Sequence, residues 1–328
     1  MKIVVIDDYQ NAFKTLKCFP KLSGHEVVVY TDPETTLDKI AERLKGADAV
    51  LLTQQRTFFP RALIEKLTTV KLIGQTGRAA AHIDLQACTE RGIVVSAGGS
   101  GNSNATAELT WGLILSALRN LPFEVKRLKE GQWQSTLGTG VNGKTLGIYA
   151  YGKIGSIVAG VGKAFGARVV CWGREGSTGR AKAAGFEVAK SREEFFTEAD
   201  IVSLHLPLNK DTRGIVTRDD LARMKPTALL VNPSRSGLIA KGALEEALKA
   251  GRPGKAAVDV YDVEPVLGAD HPLLRMDNVT CTPHLGYVTR ESYEEYYAVV
   301  VDDILAFAAG KPNHVLNPEA RIESRSAK

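Results

Sequence analysis

Three side chains that could do proton and anion chemistry each stand where a short apolar run ends. Arg235 closes "ALLVNPSR", Glu264 closes "AAVDVYDVE" and His284 closes "VTCTPH". A histidine can move a proton at neutral pH, a carboxylate on its other nitrogen fixes the tautomer, and an arginine binds a carboxylate at two points. Beside a nicotinamide that supplies a hydride, these groups would support the reduction of a 2-oxo acid, with the proton coming from the histidine. Singly, each also has an ordinary interpretation: a surface arginine, a solvated loop acid and a histidine with structural hydrogen bonds.

The apolar runs predict the elements that would position these groups. Their hydrophobicity is continuous rather than alternating, which is typical of strands covered on both faces of a parallel sheet. Ligands bind at the carboxyl ends of strands in such sheets, so the three side chains could converge there. The runs begin at residues 3, 27, 49, 70, 93, 145, 168, 200, 228, 256 and 279.

The order of the runs predicts two domains in the 328 residues. Five precede a helical stretch over 102–133, six follow it, and a last helix over 291–310 would return across the domain junction or to the first domain. We predict an α/β protein with two Rossmann-like, doubly wound parallel-sheet domains: a dinucleotide-binding domain over 103–285 and a discontinuous substrate domain formed by 1–102 and 286–328. The terminal "RIESRSAK" is expected to fray.

Composition narrows the classes of partner. The formal charge of +5 is spread over the chain without a basic run, which favours small anions over nucleic acid. No apolar run approaches the roughly 20 residues of a membrane span. Four cysteines lie far apart without metal-ligand spacing, at positions 18, 88, 171 and 281. We therefore expect reduced thiols, no metal site and a cytoplasmic protein.

A glycine loop supplies the candidate cofactor site. In "TLGIYAYGKIGSIVAG", Ala150, Gly152 and Gly155 occupy the three places of a G-x-G-x-x-G motif between a predicted strand and a helix. Gly152 would let a pyrophosphate approach the helix N-terminus, and Gly155 would allow close packing of helix on strand. An ordinary glycine turn is the alternative interpretation.

The end of the following strand bears on the choice of dinucleotide. Twenty-one residues after Gly152, where a carboxylate usually meets the ribose of NAD, the chain reads Gly173-Arg174-Glu175. An arginine there would pair with the 2′-phosphate of NADP, so we expect NADP to be preferred. Glu175 keeps NAD open, since a small shift of the loop would bring its carboxylate to the ribose.

Five segments resemble the signature segments of the D-isomer-specific 2-hydroxyacid dehydrogenases, and the resemblance covers nearly the whole chain. They are "GKTLGIYAYGKIG" (143–155), "ADIVSLHLPLNKDTRG" (199–214), "MKPTALLVNPSRSGLI" (224–239), "AAVDVYDVEP" (256–265) and "TPHLGYVT" (282–289). The resemblance implies that Arg235, Glu264 and His284 are catalytic and that NAD or NADP exchanges a hydride with a small 2-oxo or 2-hydroxy acid.

The same resemblance implies further contacts. Asp259 would hold the nicotinamide carboxamide, and Thr106 would lie near the cofactor phosphates. His205, Pro207 and Thr212 would line the adenosine end of the cofactor. The other implied cofactor contacts are Ala150, Gly152, Lys153, Ile154, Gly155, Gly173, Arg174, Pro233, Ser234 and Gly286.

For the substrate, "LIGQTGRAAAHIDLQACTERGIVV" (72–95) resembles the family loop whose amides receive the carboxylate. This adds Arg78 and Ala79 to Arg235 and His284 as substrate contacts. The family is usually dimeric through the helix beginning in "NATAELTWGLIL" and the arm after it, so we expect a homodimer.

The chain departs from the family pattern at Ala79, Ala97, Gly99, Ala150 and Ser236. We expect the alanine at 150 to be tolerated because of a negative φ there, and we expect the other changes to affect loop shape and substrate identity.

Several functions remain open at this point. Formate dehydrogenases pair their histidine with glutamine, so Glu264 argues against formate, whereas a phosphite-type dehydrogenase stays possible. A dinucleotide-sensing protein of the corepressor type is the alternative of a different class. Gln54 stands where phosphoglycerate dehydrogenases tend to carry an arginine, although Arg56 is near and could meet a second anionic group. We favour glyoxylate or hydroxypyruvate as substrate, with a bulkier or sugar-derived acid still open.

Overall fold

A computed structural model describes residues 1–99 and 101–320, so the expectation for "RIESRSAK" concerns residues outside the described part. The chain forms two compact units. The first contains Met1–Asn102 and Thr289–Lys328, and the second contains Ser103–Val288. Each has its own sheet and core, and each is described by itself.

The first unit is built on a five-stranded parallel sheet in the order β2-β1-β3-β4-β5. Its strands are short and apolar, and all residues of β3, β4 and β5 are buried, as expected for strands covered on both faces. The strands are β1 (Lys2–Ile6), β2 (Glu26–Val29), β3 (Ala49–Leu52), β4 (Leu72–Thr76) and β5 (Val94–Gly98). The helices between them are α1 (Leu37–Arg43), α2 (Arg61–Ile64) and α3 (Leu85–Glu90).

The second unit begins with two helices, α4 (Ser103–Leu118) and α5 (Leu121–Lys129). The sequence predicted one helical stretch here, but the chain breaks at Asn120, whose φ is +53°. Pro122 accounts for the break, because a proline in the first turn of α5 has no N–H to give the carbonyl of Leu118. That carbonyl instead accepts a hydrogen bond from the Thr139 amide.

A seven-stranded parallel sheet follows, in the order β12-β11-β10-β9-β6-β7-β8. The strands are β6 (Thr145–Tyr149), β7 (Arg168–Trp172), β8 (Glu187–Val188), β9 (Ile201–Leu204), β10 (Leu229–Asn232), β11 (Lys255–Val258) and β12 (Val279–Cys281). The helices are α6 (Lys153–Ala164), α7 (Glu175–Ala183), α8 (Arg192–Glu198), α9 (Arg218–Arg223) and α10 (Ala243–Lys249). The strand order reverses between β6 and β9, and this reversal opens a crevice at the carboxyl ends of the two strands.

The last helix, α11 (Arg290–Ala308), packs on β4 and β5, so the first unit is formed from both ends of the chain. Gly74 on β4 makes this approach possible, because a Cβ there would lie 2.6 Å from Val300 Cγ2. After α11, Val315 bridges antiparallel to Ser96 of β5. Within the described residues, the structure contains no helix of the length and apolarity that crossing a membrane requires.

Candidate active site

His284 and Glu264 form a close pair in the second unit. His284 Nδ1 lies 2.5 Å from Glu264 Oε2, and the other carboxylate oxygen accepts a hydrogen bond from the Tyr261 amide at 2.8 Å. Because a carboxylate only accepts hydrogen bonds, Nδ1 carries a proton and Nε2 is the ring nitrogen left for exchange. Both side chains keep about a quarter to a third of their surface exposed, at 26% and 30%. The pair is therefore fixed in tautomer and still accessible.

Arg235 lies in a turn that the side chain of Asn232 organises. Asn232 is buried, and its amide group donates to the Arg235 carbonyl at 2.8 Å and accepts from the Ser234 amide at 3.1 Å. Arg235 is half-buried, and its guanidinium donates to the Ser234 carbonyl at 2.7 Å. Within 1–99 and 101–320, no carboxylate lies within ion-pair distance of it. This cation is held in place without a counter-charge from the described chain.

Sheet order brings the three groups to one edge. Asn232 pairs with Val258 and Val258 with Cys281, so β10, β11 and β12 end at the same level. Arg235, Glu264 and His284 follow these three neighbouring strands. Adjacent strands lie about 4.8 Å apart, so two steps across the sheet span about 10 Å, within the combined reach of an arginine, a small ligand and a histidine.

Asp259 fixes the turn that presents His284. Its buried carboxylate accepts hydrogen bonds from Thr282 Oγ1 at 2.6 Å, the Leu285 amide at 2.7 Å and the Gly286 amide at 2.9 Å. Burial raises the pKa of this carboxyl, and the hydrogen bonds oppose the rise. The bonds hold His284 at a φ of +52°, a conformation that is unfavourable for a histidine without such support.

The glycine loop joins β6 to α6. At Gly155 a Cβ would lie 2.4 Å from the Ala150 carbonyl oxygen, so only glycine fits there. At Gly152, where α6 begins, a Cβ would meet nothing within 4 Å, and φ is −103°. Ala150 has a φ of +78°, so the expectation of a negative φ at this position is wrong and alanine is strained there. Lys153 is exposed and Ile154 half-buried in the first turn of α6.

The segment after β7 opens α7. Arg174 is exposed in the N-cap position, and Glu175 is exposed in the first turn. Gly173 lies close behind the glycine loop, because a Cβ there would be 3.5 Å from the Ala150 Cα. Tyr151 in the loop is bonded to α7 through Ser177 and Arg180.

The segment after β9 is a closed loop. His205 pairs through Nε2 with Ser203 Oγ at 2.9 Å, its Nδ1 is buried without a partner among the described residues, and burial lowers its pKa to about 3. Thr212 is buried and its hydroxyl donates to the Pro207 carbonyl at 2.6 Å. Thr212 therefore closes the loop, while Pro207 is exposed.

Thr106 and Gly286, two further predicted cofactor contacts, are hydrogen-bonded to each other. Thr106 Oγ1 donates to the Gly286 carbonyl at 2.8 Å. At the end of β10, Pro233 is buried, and Ser234 Oγ donates to the Leu204 carbonyl of β9 at 2.8 Å. The ends of β9 and β10 are thus linked.

Arg78 and Ala79 belong to the first unit. Both are exposed in the loop after β4, which begins at Gly77 with a φ of +80°. Arg56, in the same unit, donates to the Asp7 carbonyl and to Tyr293 Oη, the latter at 2.9 Å, and its guanidinium lies over the ring of Tyr9.

Several residues that hydrogen-bond to the candidate groups or to the glycine loop were not predicted from the sequence. Asn232, Tyr261 and Thr282 touch the candidate groups or their turns, and Ser177 and Arg180 touch the glycine loop. Asn before Pro at the end of a buried strand is a recognised turn signal, so Asn232 could have been found. In the described part of the chain, no group of three His, Cys, Asp or Glu is arranged to hold a metal ion.

Comparison with known proteins supports one family. The model of the "D-isomer specific 2-hydroxyacid dehydrogenase, NAD binding domain" matches residues 111–286. A crystal structure of a Ralstonia solanacearum oxidoreductase, provisionally named a D-3-phosphoglycerate dehydrogenase, is 46% identical, with 97% of each chain covered and a TM-score of 0.94.

Two curated relatives extend the comparison. Glyoxylate reductase of Aeropyrum pernix is 36% identical over 87% of this chain and 86% of that protein. D-3-phosphoglycerate dehydrogenase of Methanocaldococcus jannaschii is 38% identical over 95% of this chain and 58% of that protein. The chain thus spans little more than half the length of the first curated relatives it matches. By the family match and by these identities over most of its length, the chain belongs to the D-isomer-specific 2-hydroxyacid dehydrogenase family.

Proposed function

We propose that this protein is an NAD(P)-dependent D-2-hydroxyacid dehydrogenase that interconverts a small 2-oxo acid and its D-2-hydroxy acid. The observation that carries the proposal is the 2.5 Å pair of His284 and Glu264, two strands from the guanidinium of Arg235, which has no carboxylate partner among the described residues. All three lie in the unit that holds the glycine loop.

In this proposal the three side chains divide the work. Arg235 binds the substrate carboxylate and polarises the carbonyl to be reduced. His284 donates a proton from Nε2 to the carbonyl oxygen and takes it back in the reverse direction. Glu264 keeps the Nδ1 proton in place and stabilises the imidazolium. The bound nicotinamide supplies or accepts the hydride.

The second unit fits a dinucleotide at the glycine loop. Gly152 has neither a positive φ nor a close neighbour, so its lack of a side chain is best explained by a ligand that approaches the backbone. The first amides of α6 have no partner within the helix and would receive the pyrophosphate. The buried carboxylate of Asp259 accepts three hydrogen bonds, only one of them at Oδ2, so this oxygen keeps acceptor capacity for a carboxamide donor. The other predicted cofactor contacts of the second unit keep their assignments as part of this proposal.

We further propose that NADP is preferred over NAD. Arg174 is exposed at the start of α7, where it is accessible to a 2′-phosphate. Glu175 is adjacent and also exposed, so the preference is expected to be moderate rather than absolute.

For the substrate we propose a small acid such as glyoxylate or hydroxypyruvate. Arg56, which could have met a second anionic group, is instead engaged by the Asp7 carbonyl and Tyr293 Oη. Arg78 and Ala79 are proposed as contacts of the substrate carboxylate. Glyoxylate reductases are among the relatives that match most of their own length.

The test is oxidation of NADPH, and separately NADH, by the purified protein with glyoxylate, hydroxypyruvate and phosphorylated or sugar-derived 2-oxo acids. We expect turnover with a small acid and faster turnover with NADPH. Equal rates with both dinucleotides would contradict the NADP preference. Binding of a dinucleotide without turnover of any acid would contradict the enzyme and favour a dinucleotide sensor.

The cofactor site has its own test in Gly152→Ala. A methyl group there meets open space in the protein, so folding should be unaffected, whereas the methyl would occupy the path of the pyrophosphate. We expect an unchanged Tm and a dinucleotide Kd that rises at least tenfold, or about 1.4 kcal/mol. An unchanged Kd would remove the glycine loop from the cofactor site.

We also propose a homodimer through α4, its continuation α5 and the arm after them. No residue of α5 is buried, and Phe123, Val125 and Leu128 are about half exposed, at 47%, 53% and 56%. In the arm, Trp133 and Leu137 are 78% and 98% exposed. A second copy would cover this apolar surface.

Sedimentation of Val125→Asp/Leu128→Asp tests the dimer. We expect a dimer for the wild type and a monomer for this variant, while Phe58→Asp, at a 68% exposed side chain of the first unit, should stay dimeric. A monomeric wild type would contradict the proposal.

The four unpaired cysteine thiols are the basis for proposing a cytoplasmic location.

A further inference from the structure

Helix α7 holds both backbone groups of one residue in the glycine loop. The Tyr151 amide donates to Ser177 Oγ at 2.7 Å, and Arg180 Nη2 donates to the Tyr151 carbonyl at 3.1 Å. Two side chains of a neighbouring helix thus bind the N–H and the C=O of the same loop residue.

Tyr151 lies at the centre of the glycine loop, and its conformation determines the direction of the chain into α6. It is the middle residue of a tight turn closed by a hydrogen bond from the Gly152 amide to the Ala150 carbonyl at 3.0 Å. Gly152 is the N-cap of α6, so the geometry of this turn sets the direction of the first α6 amides. The N–H and C=O of Tyr151 take no part in the hydrogen bond that closes the turn, and in the described part of the chain their hydrogen bonds come from α7.

The sequence explains why α7 can reach the loop. Ser177 and Arg180 are three residues apart and therefore share a face of the helix. Gly173, just before α7, leaves the necessary space, since a Cβ there would lie 3.1 Å from Ser177 Oγ. The side chain of Tyr151 is buried and packs on Phe186, with ring centroids 5.5 Å apart, so the loop is held from the side chain as well.

We propose that Ser177 and Arg180 are positioning residues for dinucleotide binding: they fix the two peptide groups that flank Tyr151 and thereby the α6 amides that receive the pyrophosphate. This inference rests on the proposed function, because it needs a dinucleotide at the glycine loop. Neither residue was among the predicted cofactor contacts.

The experiment measures Kd for NADH, NADPH and ADP-ribose with Ser177→Ala, Arg180→Met and the double variant. Each single change removes one hydrogen bond to a peptide group of Tyr151, and we expect each Kd to rise roughly five- to tenfold. Because both bonds hold the same residue of one tight turn, the double variant should lose little more than the weaker-binding single variant. In turnover, KM for the dinucleotide should rise while kcat stays nearly constant.

Two controls lie on the same helix. Thr178→Ala removes a hydroxyl that bonds to the Glu175 carbonyl within α7. Lys182→Met removes an exposed cation that makes no hydrogen bond or ion pair with described residues. Both should bind dinucleotides like the wild type. Ser177→Thr keeps the hydroxyl and should restore most of the affinity.

Each outcome decides between named alternatives. Equal fold losses for NADH and NADPH support positioning, whereas a loss confined to NADPH in Arg180→Met would make Arg180 a direct 2′-phosphate contact and overturn its assigned role. Wild-type affinity in both single variants would overturn the inference while leaving the proposed function intact. A wild type that binds none of the three ligands would instead refute the proposed function. A fall in Tm that Ser177→Thr does not reverse, with parallel losses of kcat, would mean that the bonds act on stability alone.

Discussion

Arg235 combines two properties that would lower the stability of the fold if no ligand bound to it. The residue is half-buried, and among the described residues its guanidinium donates to the neighbouring Ser234 carbonyl rather than to a carboxylate. A partly desolvated cation without a counter-charge is unfavourable unless an anion joins it. Its position beyond β10 is therefore better explained by ligand binding than by folding.

Replacing Arg235 by alanine should lower kcat/KM for the 2-oxo acid roughly a hundredfold or more, because charged two-point bonds to the substrate are lost. Dinucleotide Kd and Tm should change little, since the lost contacts belong to the substrate. Steady-state kinetics and dinucleotide titration measure the two effects. Arg223→Ala, at an exposed arginine of α9, is the control. Near-normal turnover of Arg235→Ala would remove this residue from the mechanism.

Ala150 offers a test of backbone strain. Its φ of +78° costs a non-glycine residue roughly 1–2 kcal/mol, while glycine adds about 0.5–1 kcal/mol of unfolded-state entropy. Ala150→Gly should therefore raise the free energy of unfolding, by up to about 1.5 kcal/mol. Chemical denaturation measures it. A lower free energy of unfolding would show that the loop tolerates alanine without strain.

The residue types of the candidate site were predictable from the sequence, but the residues that hold them in place through hydrogen bonds were harder to predict. Arg235, Glu264 and His284 could be selected because each follows an apolar run, which is a local pattern. The partners of Asp259 lie more than 20 residues away in Thr282, Leu285 and Gly286, and no local pattern indicates such distances. The sign of φ at Ala150 was also hidden, since it depends on the closure of the turn by Gly152.

At the scale of elements, two of the three glycines of α6, Gly155 and Gly160, test what the motif requires. Gly155→Ala would put a methyl group 2.4 Å from the Ala150 carbonyl oxygen, so the helix would have to move away from β6. We expect a loss of about 1–3 kcal/mol in unfolding free energy and a large loss of dinucleotide affinity. Gly160→Ala is the matched control, since a Cβ there meets nothing within 4 Å.

The control should behave in the opposite way. Alanine is about 0.5–1 kcal/mol more favourable than glycine in a helix, so Gly160→Ala should stabilise the protein without changing dinucleotide binding. Thermal melts and dinucleotide titrations of the two variants give the comparison. Equal stability and affinity of both variants would show that helix and strand are not in close contact at Gly155.

Apolar runs predicted eleven of the twelve strands in the described residues, because strands buried on both faces leave a continuous pattern. The missed strand, β8, has two residues, and neither is fully buried, so it leaves no such pattern. The break between α4 and α5 was signalled by Pro122, yet the helical pattern on both sides concealed it. How α11 joins the first unit depends on Gly74 and Val300, which are distant in sequence.

At the scale of the whole molecule, each unit contains a histidine whose pKa is lowered by burial of its ring. In the first unit, His82 is 5% exposed, and neither ring nitrogen has a partner among the described residues. Burial lowers its pKa from 6.5 to about 4. In the second unit, burial lowers the pKa of His205 to about 3. Both units should therefore lose stability in acid for the same reason.

The direction of the pH dependence of stability follows from the difference in proton binding between the unfolded and the folded chain. Below pH 6.5 the unfolded chain protonates His82, while the folded unit excludes the proton until about pH 4. Stability is thus complete above this window and falls within it as the pH decreases. At about pH 5 the loss from His82 amounts to about 2 kcal/mol. His82→Leu should remove this part of the pH dependence. Urea unfolding of both proteins at neutral and mildly acid pH measures the difference, with the neutral value reporting any packing change. An equal acid loss in the variant would show that His82 accepts a proton in the folded unit, and that another group causes the decline.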